Sequence, residues 1–111
     1  MINTAFTILR ANGDEEVRSA RMHSTPGYMF LQVLLKPILG CVYSERVMVL
    51  HDGQRLDLFV DEGGHEKRLP RNEKATAIYR NNVLSHEPGT DPESLPHIAG
   101  DAVLFNRPVW S

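Results

Sequence analysis

"SERVMVLHDGQRLDLFVDEGG", Ser44 to Gly64, is the stretch that decides the fold. Two apolar runs, Val47 to Leu50 and Leu56 to Val60, flank "HDGQ". A two-residue type I′ turn needs positive φ at both central positions, and Asp52-Gly53 supplies residues that tolerate it. Leu56, Leu58 and Val60 alternate with Asp57, Phe59 and Asp61, so one face of the second strand is wholly apolar. The stretch reads as a β-hairpin with a face to bury.

Working outward, "LPRNEKATAIYRNN" (Leu69 to Asn82) begins a helix at Asn72, a good N-cap, with Glu73 where the helix dipole favours an anion. Ala75, Ile78, Tyr79 and Asn82 form its buried stripe, and Glu73, Ala77 and Arg80 its outer face. Upstream, Thr25-Pro26 offers an N-cap and first helical position for "YMFLQVLLKPILG". Tyr28, Leu31, Leu34, Leu35 and Ile38 share one stripe, continuous with Gly27, while Gln32 and Lys36 face solvent. Pro37 ends or kinks that helix at Lys36, because it removes the hydrogen bond to the Val33 carbonyl. Met29, Phe30 and Val33 lie on the far side, so the helix needs cover on two faces.

"TAFTILRA" (Thr4 to Ala11) reads as a first strand stopped by the turn "NGDEE". "EVRSARMHS" (Glu16 to Ser24) has weak periodicity and many charges and is left as a connection. "VLSHEPGTDPESLPHIAG" (Val83 to Gly100) reads as a long loop, with one short helical turn opened by Asp91 as N-cap and Pro92 as first residue. "DAVLFN" (Asp101 to Asn106) is the last strand. The expected order is β-α-β-β-α-β. It predicts an α+β fold with two helices on one face of a mostly antiparallel four-stranded sheet, ferredoxin-like as the first topology. The core should contain Leu31, Leu35, Leu56, Leu58, Ile78, Tyr79, Val103 and Phe105.

The 111 residues suit a single domain over 1–111 that folds without metals or disulfides. Apolar residues at 41% and charged ones at 23% are ordinary globular usage, which argues against wholesale disorder. The net charge of −2, from 12 basic and 14 acidic side chains, gives no overall attraction to nucleic acid or membrane. Cys41 is the only cysteine, so no intrachain disulfide forms, and a small buried hydrophobe is its expected role. No apolar run is long enough to span a bilayer, and "MINTAFTILRANGDEE" lacks the pattern of a secretory signal. A cytoplasmic protein is expected.

Familiar catalytic spacings are absent. The five histidines, His23, His51, His65, His86 and His97, form no H-x-x-x-H or H-E-x-x-H pair. There is no G-x-S-x-G, and Gly63-Gly64 opens onto "HEKRLP" rather than a helix, so it is no phosphate loop. His51 beside Asp52 reads as turn chemistry. His86, Asp91, His97 and Asp101, with Glu87, crowd one segment and are the candidate metal or acid–base groups; a solvated polar loop is the bland alternative. Lys67, Arg68, Arg71, Lys74 and Arg80 are the candidate phosphate contacts, against a charged loop and solvated helix face. Phe59 is the sheet aromatic that RNA-binding relatives of such a fold would stack on a base, but no RNP-like run surrounds it.

The segments "DGQRLDLFVDEGG", "LPRNEKATAIYRNN", "DPESLPHIAGDAVLF" and "RPVW" resemble the family catalogued as domain of unknown function 3846, small proteins of bacteria and their phages. The likeness runs from about Ser24 to Trp110 and leaves the first strand outside. It implies one intact domain and carries no activity, cofactor or site residue. The expectation is therefore a small non-enzymatic binding or regulatory module, without cofactor, acting as a homodimer through Met29, Phe30 and Val33. The alternatives are a small enzyme or metal-binding protein with its site at 85–101, and a nucleic-acid binder through the 67–80 basic patch.

Overall fold

A computed structural model describes residues 1–110. Its hairpin follows the sequence: β3 (Ser44–His51) pairs antiparallel with β4 (Gln54–Asp61), and His51 lies opposite Gln54. Asp52 has φ 50° and Gly53 φ 78°, so both turn residues adopt the positive φ of a type I′ turn.

The first strand, β1 (Ile2–Leu9), turns at Asn12-Gly13 and returns as β2 (Glu15–Met22). That return strand replaces the expected connection. Its side chains carry little apolar signal because only Met22 is buried; pairing with β1 along all eight residues holds it. The closing strand β5 (Ala102–Phe105) inserts between β1 and β4. The sheet is five-stranded and antiparallel, in the order β2-β1-β5-β4-β3.

The α+β class stands, but two features depart from the expected arrangement beyond the extra strand. β5 separates β1 from β4, and the two helices lie on opposite faces. On β5, Val103 and Phe105 pack with Leu31 and Leu35 of α1 (Tyr28–Leu39), whereas Ala102 and Leu104 pack with Ala75 and Ile78 of α2 (Glu73–His86). Adjacent strand residues point to opposite faces, so the sheet is the middle of three layers. This is why β4 is buried at every position from Leu56 to Asp61, on both faces.

α1 carries the chain from one sheet edge to the other. Four inter-strand spacings of about 4.8 Å make roughly 19 Å, and its 12 residues at about 1.5 Å each reach nearly that far. Gly27, at φ 92°, is the N-cap, so Thr25-Pro26 lies outside the helix. The helix also continues through Pro37 to Leu39 and closes on Gly40 in the left-handed region. Pro37 and Val33 are both exposed, so the interrupted hydrogen bond lies on the solvent side of the helix.

α2 starts at Asn72 as expected, with the Asn72 side chain accepting from the Ala75 N–H at 3.0 Å. It runs on to His86, so Val83 to His86 belong to the helix and the following loop is shorter than expected. The short turn at 92–94 is a 3-10 helix with Asp91 as N-cap and Pro92 first. Six of the eight expected core residues are buried; Ile78 and Tyr79 are only half-buried, because the outer side of α2 stays open.

Candidate functional site

The helix α1 has two kinds of surface. Leu31, Leu35 and Leu39 face the sheet. Gln32, expected in solvent, is instead buried at 4% exposure. Its side-chain oxygen accepts from the Ser44 N–H at 3.0 Å, and its amide donates to the Ser44 hydroxyl at 2.8 Å. A buried carboxamide is tolerable only with such partners.

Opposite this face, Met29 is 72% exposed, Val33 70% and Phe30 39%, with Pro37 beside them. Neither the 12–23 hairpin nor the 83–101 segment folds over them. Three large apolar groups together in water are uncommon on a monomer. Alongside runs a groove of about 480 Å³ between Val33, Leu34, Pro37 and Ile38 of α1 and Arg10 and Arg18 of the β1–β2 hairpin. Arg10 donates to Asp101 at 3.1 Å and to Glu16 at 3.2 Å. The Asp101 hydrogen bond, above all, raises the Arg10 pKa, while Arg18 and then Arg10 hold the Glu16 carboxyl below its ordinary value. The charges beside the apolar face are therefore mutually neutralised.

The residues singled out in the 85–101 segment have separate surroundings. His86 caps the end of α2, its Nδ1 2.8 Å from the Asn82 carbonyl. Asp91 accepts from the Glu93 N–H at 3.0 Å as the cap of the 3-10 turn. Asp101 binds Arg10 and the Ala11 N–H, and so fixes the first turn to the last strand. His97 meets His65, with ring centroids 4.7 Å apart and the His65 Nε2 2.7 Å from the His97 carbonyl oxygen. Among the described residues, no three His, Cys, Asp or Glu side chains come together as a metal site. His65 and His97, with Glu45, Glu62 and Tyr79, line a cleft of about 280 Å³ floored by Val47, Val60 and Ile98. His65 had no part in the sequence-based candidates; only the folding of Gly64 against Ala99 brings it there. A Cβ at Gly64 would sit 2.7 Å from the Ala99 carbonyl oxygen, so only glycine allows this approach.

Four of the five basic candidates have partners of their own. Lys67 pairs with the buried Asp61, Arg71 with Glu73 at 2.8 Å, and Lys74 with Glu15 at 2.7 Å. Arg80, expected on the outer face of α2, is largely buried and donates to the Leu95 carbonyl at 3.0 Å, holding the 3-10 turn against the helix. Arg68 alone makes no ion pair among the described residues. Phe59 packs edge-on against Phe105 beneath α1, at 1% exposure, so no base can reach it.

Cys41 is buried, and desolvation raises its thiol pKa, as suits a small core residue rather than a nucleophile. No helix among the described residues is long and apolar enough to cross a membrane. No family model, no curated protein and no solved structure matches the chain.

Proposed function

We propose that this protein is a small non-enzymatic binding or regulatory module that works as a homodimer, its two copies meeting through the outward face of α1. What supports this is one observation: Met29, Phe30, Val33 and Pro37 form an apolar strip that stays exposed among the described residues. A two-fold contact laying this strip on its own copy is the commonest way such a face leaves water. Phe30 is the anchor, since aromatic side chains dominate interface energetics. Val33→Glu places a charge where the single chain exposes its side chain to solvent, so it should leave folding intact and halve the mass measured by light scattering. Phe30→Glu should do the same. A monomeric mass for the unmodified chain at high concentration overturns the reading.

A second reading, a small-ligand site beside the 85–101 segment, has its own supporting observation. His65, His97 and Tyr79 line one cleft with Val47, Val60 and Ile98 and the acidic Glu45 and Glu62, and polar groups set among apolar walls are what ligand sites use. A thermal-shift screen of small metabolites against the unmodified chain and His97→Ala tests it. A hit lost in the variant supports a site there, and no stabilising compound at all counts against it.

A further inference from the structure

The two edges of the sheet differ in how they are closed. At β3, side-chain amides from both helices reach the outward backbone. Gln32 of α1 engages Ser44, while Asn82 of α2 accepts from the Leu50 N–H at 2.7 Å and donates to the Met48 carbonyl at 3.3 Å. Each carboxamide stands where the peptide of a neighbouring strand would be, which blunts an edge against further pairing. At β2 there is no such guard. Among the described residues, no backbone group from Glu15 to Met22 meets a partner other than β1.

The register says which groups are open. The Arg10 N–H donates to the Asp14 carbonyl at 2.8 Å, one step beyond the Leu9↔Glu15 pair. Hydrogen-bonded and non-hydrogen-bonded pairs alternate in an antiparallel ladder, so Ile8↔Glu16, Phe6↔Arg18 and Thr4↔Ala20 are the bonded pairs. The other side of β1 agrees: the Asn106 N–H donates to the Ala5 carbonyl at 3.1 Å, so odd residues of β1 face β5 and even ones face β2. Glu15, Val17, Ser19 and Arg21 therefore aim their N–H and C=O groups away from the sheet.

We propose that a second copy of this chain pairs with this edge, antiparallel, about a two-fold axis at Arg18, so that the sheet continues from one protomer into the other. The register that satisfies every outward group sets Glu15 against the partner's Arg21 and Val17 against the partner's Ser19. Charge argues for a copy of the same strand. Its first half is acidic at Glu15 and Glu16 and its second half basic at Arg18 and Arg21, so reversal brings opposite signs together. Arg21 is exposed and has no ion pair within its own chain among the described residues, leaving it available to join the partner's Glu15, which already holds that chain's Lys74. Arg18, which meets its own copy at the axis, is neutralised by Glu16. This edge adjoins the apolar face of α1, since Arg18 lines the groove beside Val33, but pairs through different groups, so with both contacts in use the proposed dimer becomes one half of a dimer of dimers.

Residue-resolved amide exchange together with light scattering tests the pairing. In an unpaired edge, Arg18 and Ala20 are protected by β1 while Val17, Ser19 and Arg21 exchange freely. In the paired edge, those three slow by roughly 100-fold or more, because opening then requires the strands to separate. Ser19→Pro removes an outward N–H and no bond to β1, so it should halve the mass and restore fast exchange at Val17 and Arg21. Arg21→Glu should weaken association, and adding Glu15→Lys should restore it, which keeps the test open should the proline variant misfold. Val33→Glu reads the α1 contact alone and should leave the exchange pattern of β2 slow. Fast exchange at Val17, Ser19 and Arg21 in the unmodified chain, or an unchanged mass for both Ser19→Pro and Arg21→Glu, overturns the proposal.

Discussion

Leu58 is wholly enclosed, opposite Val47 on one side and Leu104 on the other, under Ala75 and Ile78 of α2. Leu58→Ala removes its transfer energy and leaves a cavity that the two neighbouring strands and α2 cannot close, at a cost of about 2–5 kcal/mol in denaturant unfolding. A loss under about 0.5 kcal/mol would place Leu58 outside the core, since truncations in a close-packed interior cost more than that. The turn gives a second, different test. Gly53 sits at φ 78° with nothing within 4 Å of a built Cβ, so any penalty there is conformational and not steric crowding by neighbours. Gly53→Val should cost more than about 1 kcal/mol, whereas Gly53→Asn, which tolerates positive φ, should cost clearly less. Both residues were legible in the sequence for the same reason: strand alternation and turn chemistry are local, and they act within a few residues of chain. Gln32 was not, because its partner Ser44 is twelve residues away and the Gln side chain reads as solvent-facing until the sheet edge lies beneath it.

At the scale of elements, the hairpin, both helices and the closing strand were readable, and β2 was not. An edge strand with one face open needs no apolar alternation, and β2 is held by its backbone pairing, a signal the side chains do not carry. The placing of α1 and α2 on opposite faces was equally hidden. The alternation of β4 suggested one buried face, yet Phe59, Asp57 and Asp61 are buried too, because α1 covers Phe59, the 107–110 segment covers Asp57 and Lys67 lies over Asp61. The candidate groups at 85–101 are not neighbours: His86, Asp91 and Asp101 each cap or clamp a different element, and His97 meets His65 instead. The guarding of β3 yields a prediction at this scale. Gln32→Ala should cost about 1–3 kcal/mol, since the Ser44 N–H is left buried without a partner. Asn82→Ala, which frees more exposed groups at Met48 and Leu50, should cost less. It should instead raise the exchange rate of the Leu50 amide, measured by NMR, while the Val49 amide stays unchanged. Equal slow exchange at Leu50 in both proteins would show that Asn82 does not guard the edge.

Across the whole molecule, the layers are tied together by a carboxylate that sequence reasoning passed over. Asp57, 1% exposed in the middle of β4, accepts from Arg46 Nε at 2.8 Å, from the Val109 N–H at 2.9 Å and from the Trp110 N–H at 3.1 Å. It thus draws the 107–110 segment over the α1 side of the sheet, where Val109 enters the core and Trp110 lies edge-on to Tyr28 beside the Arg46 guanidinium. Arg107 fastens the same segment to Thr4 at 3.0 Å and to the Ser24 carbonyl at 2.7 Å, so the two hairpins and the start of α1 share one strap. Arg46 is 29% exposed and is rehydrated when its partner goes, so the loss comes mainly from the Val109 and Trp110 N–H groups left without an acceptor, about 1–3 kcal/mol. Asp57→Ala should show a loss of that order, together with a red-shifted emission of Trp110, the only tryptophan, as the strap comes away from β4. Asp57→Asn keeps an oxygen for the two backbone N–H groups and gives up the charge opposite Arg46. It should therefore lose less stability and leave the Trp110 emission near its original wavelength. Indistinguishable emission from Asp57→Ala and the unmodified chain would mean that Val109 burial alone holds the strap, with the carboxylate serving only Arg46.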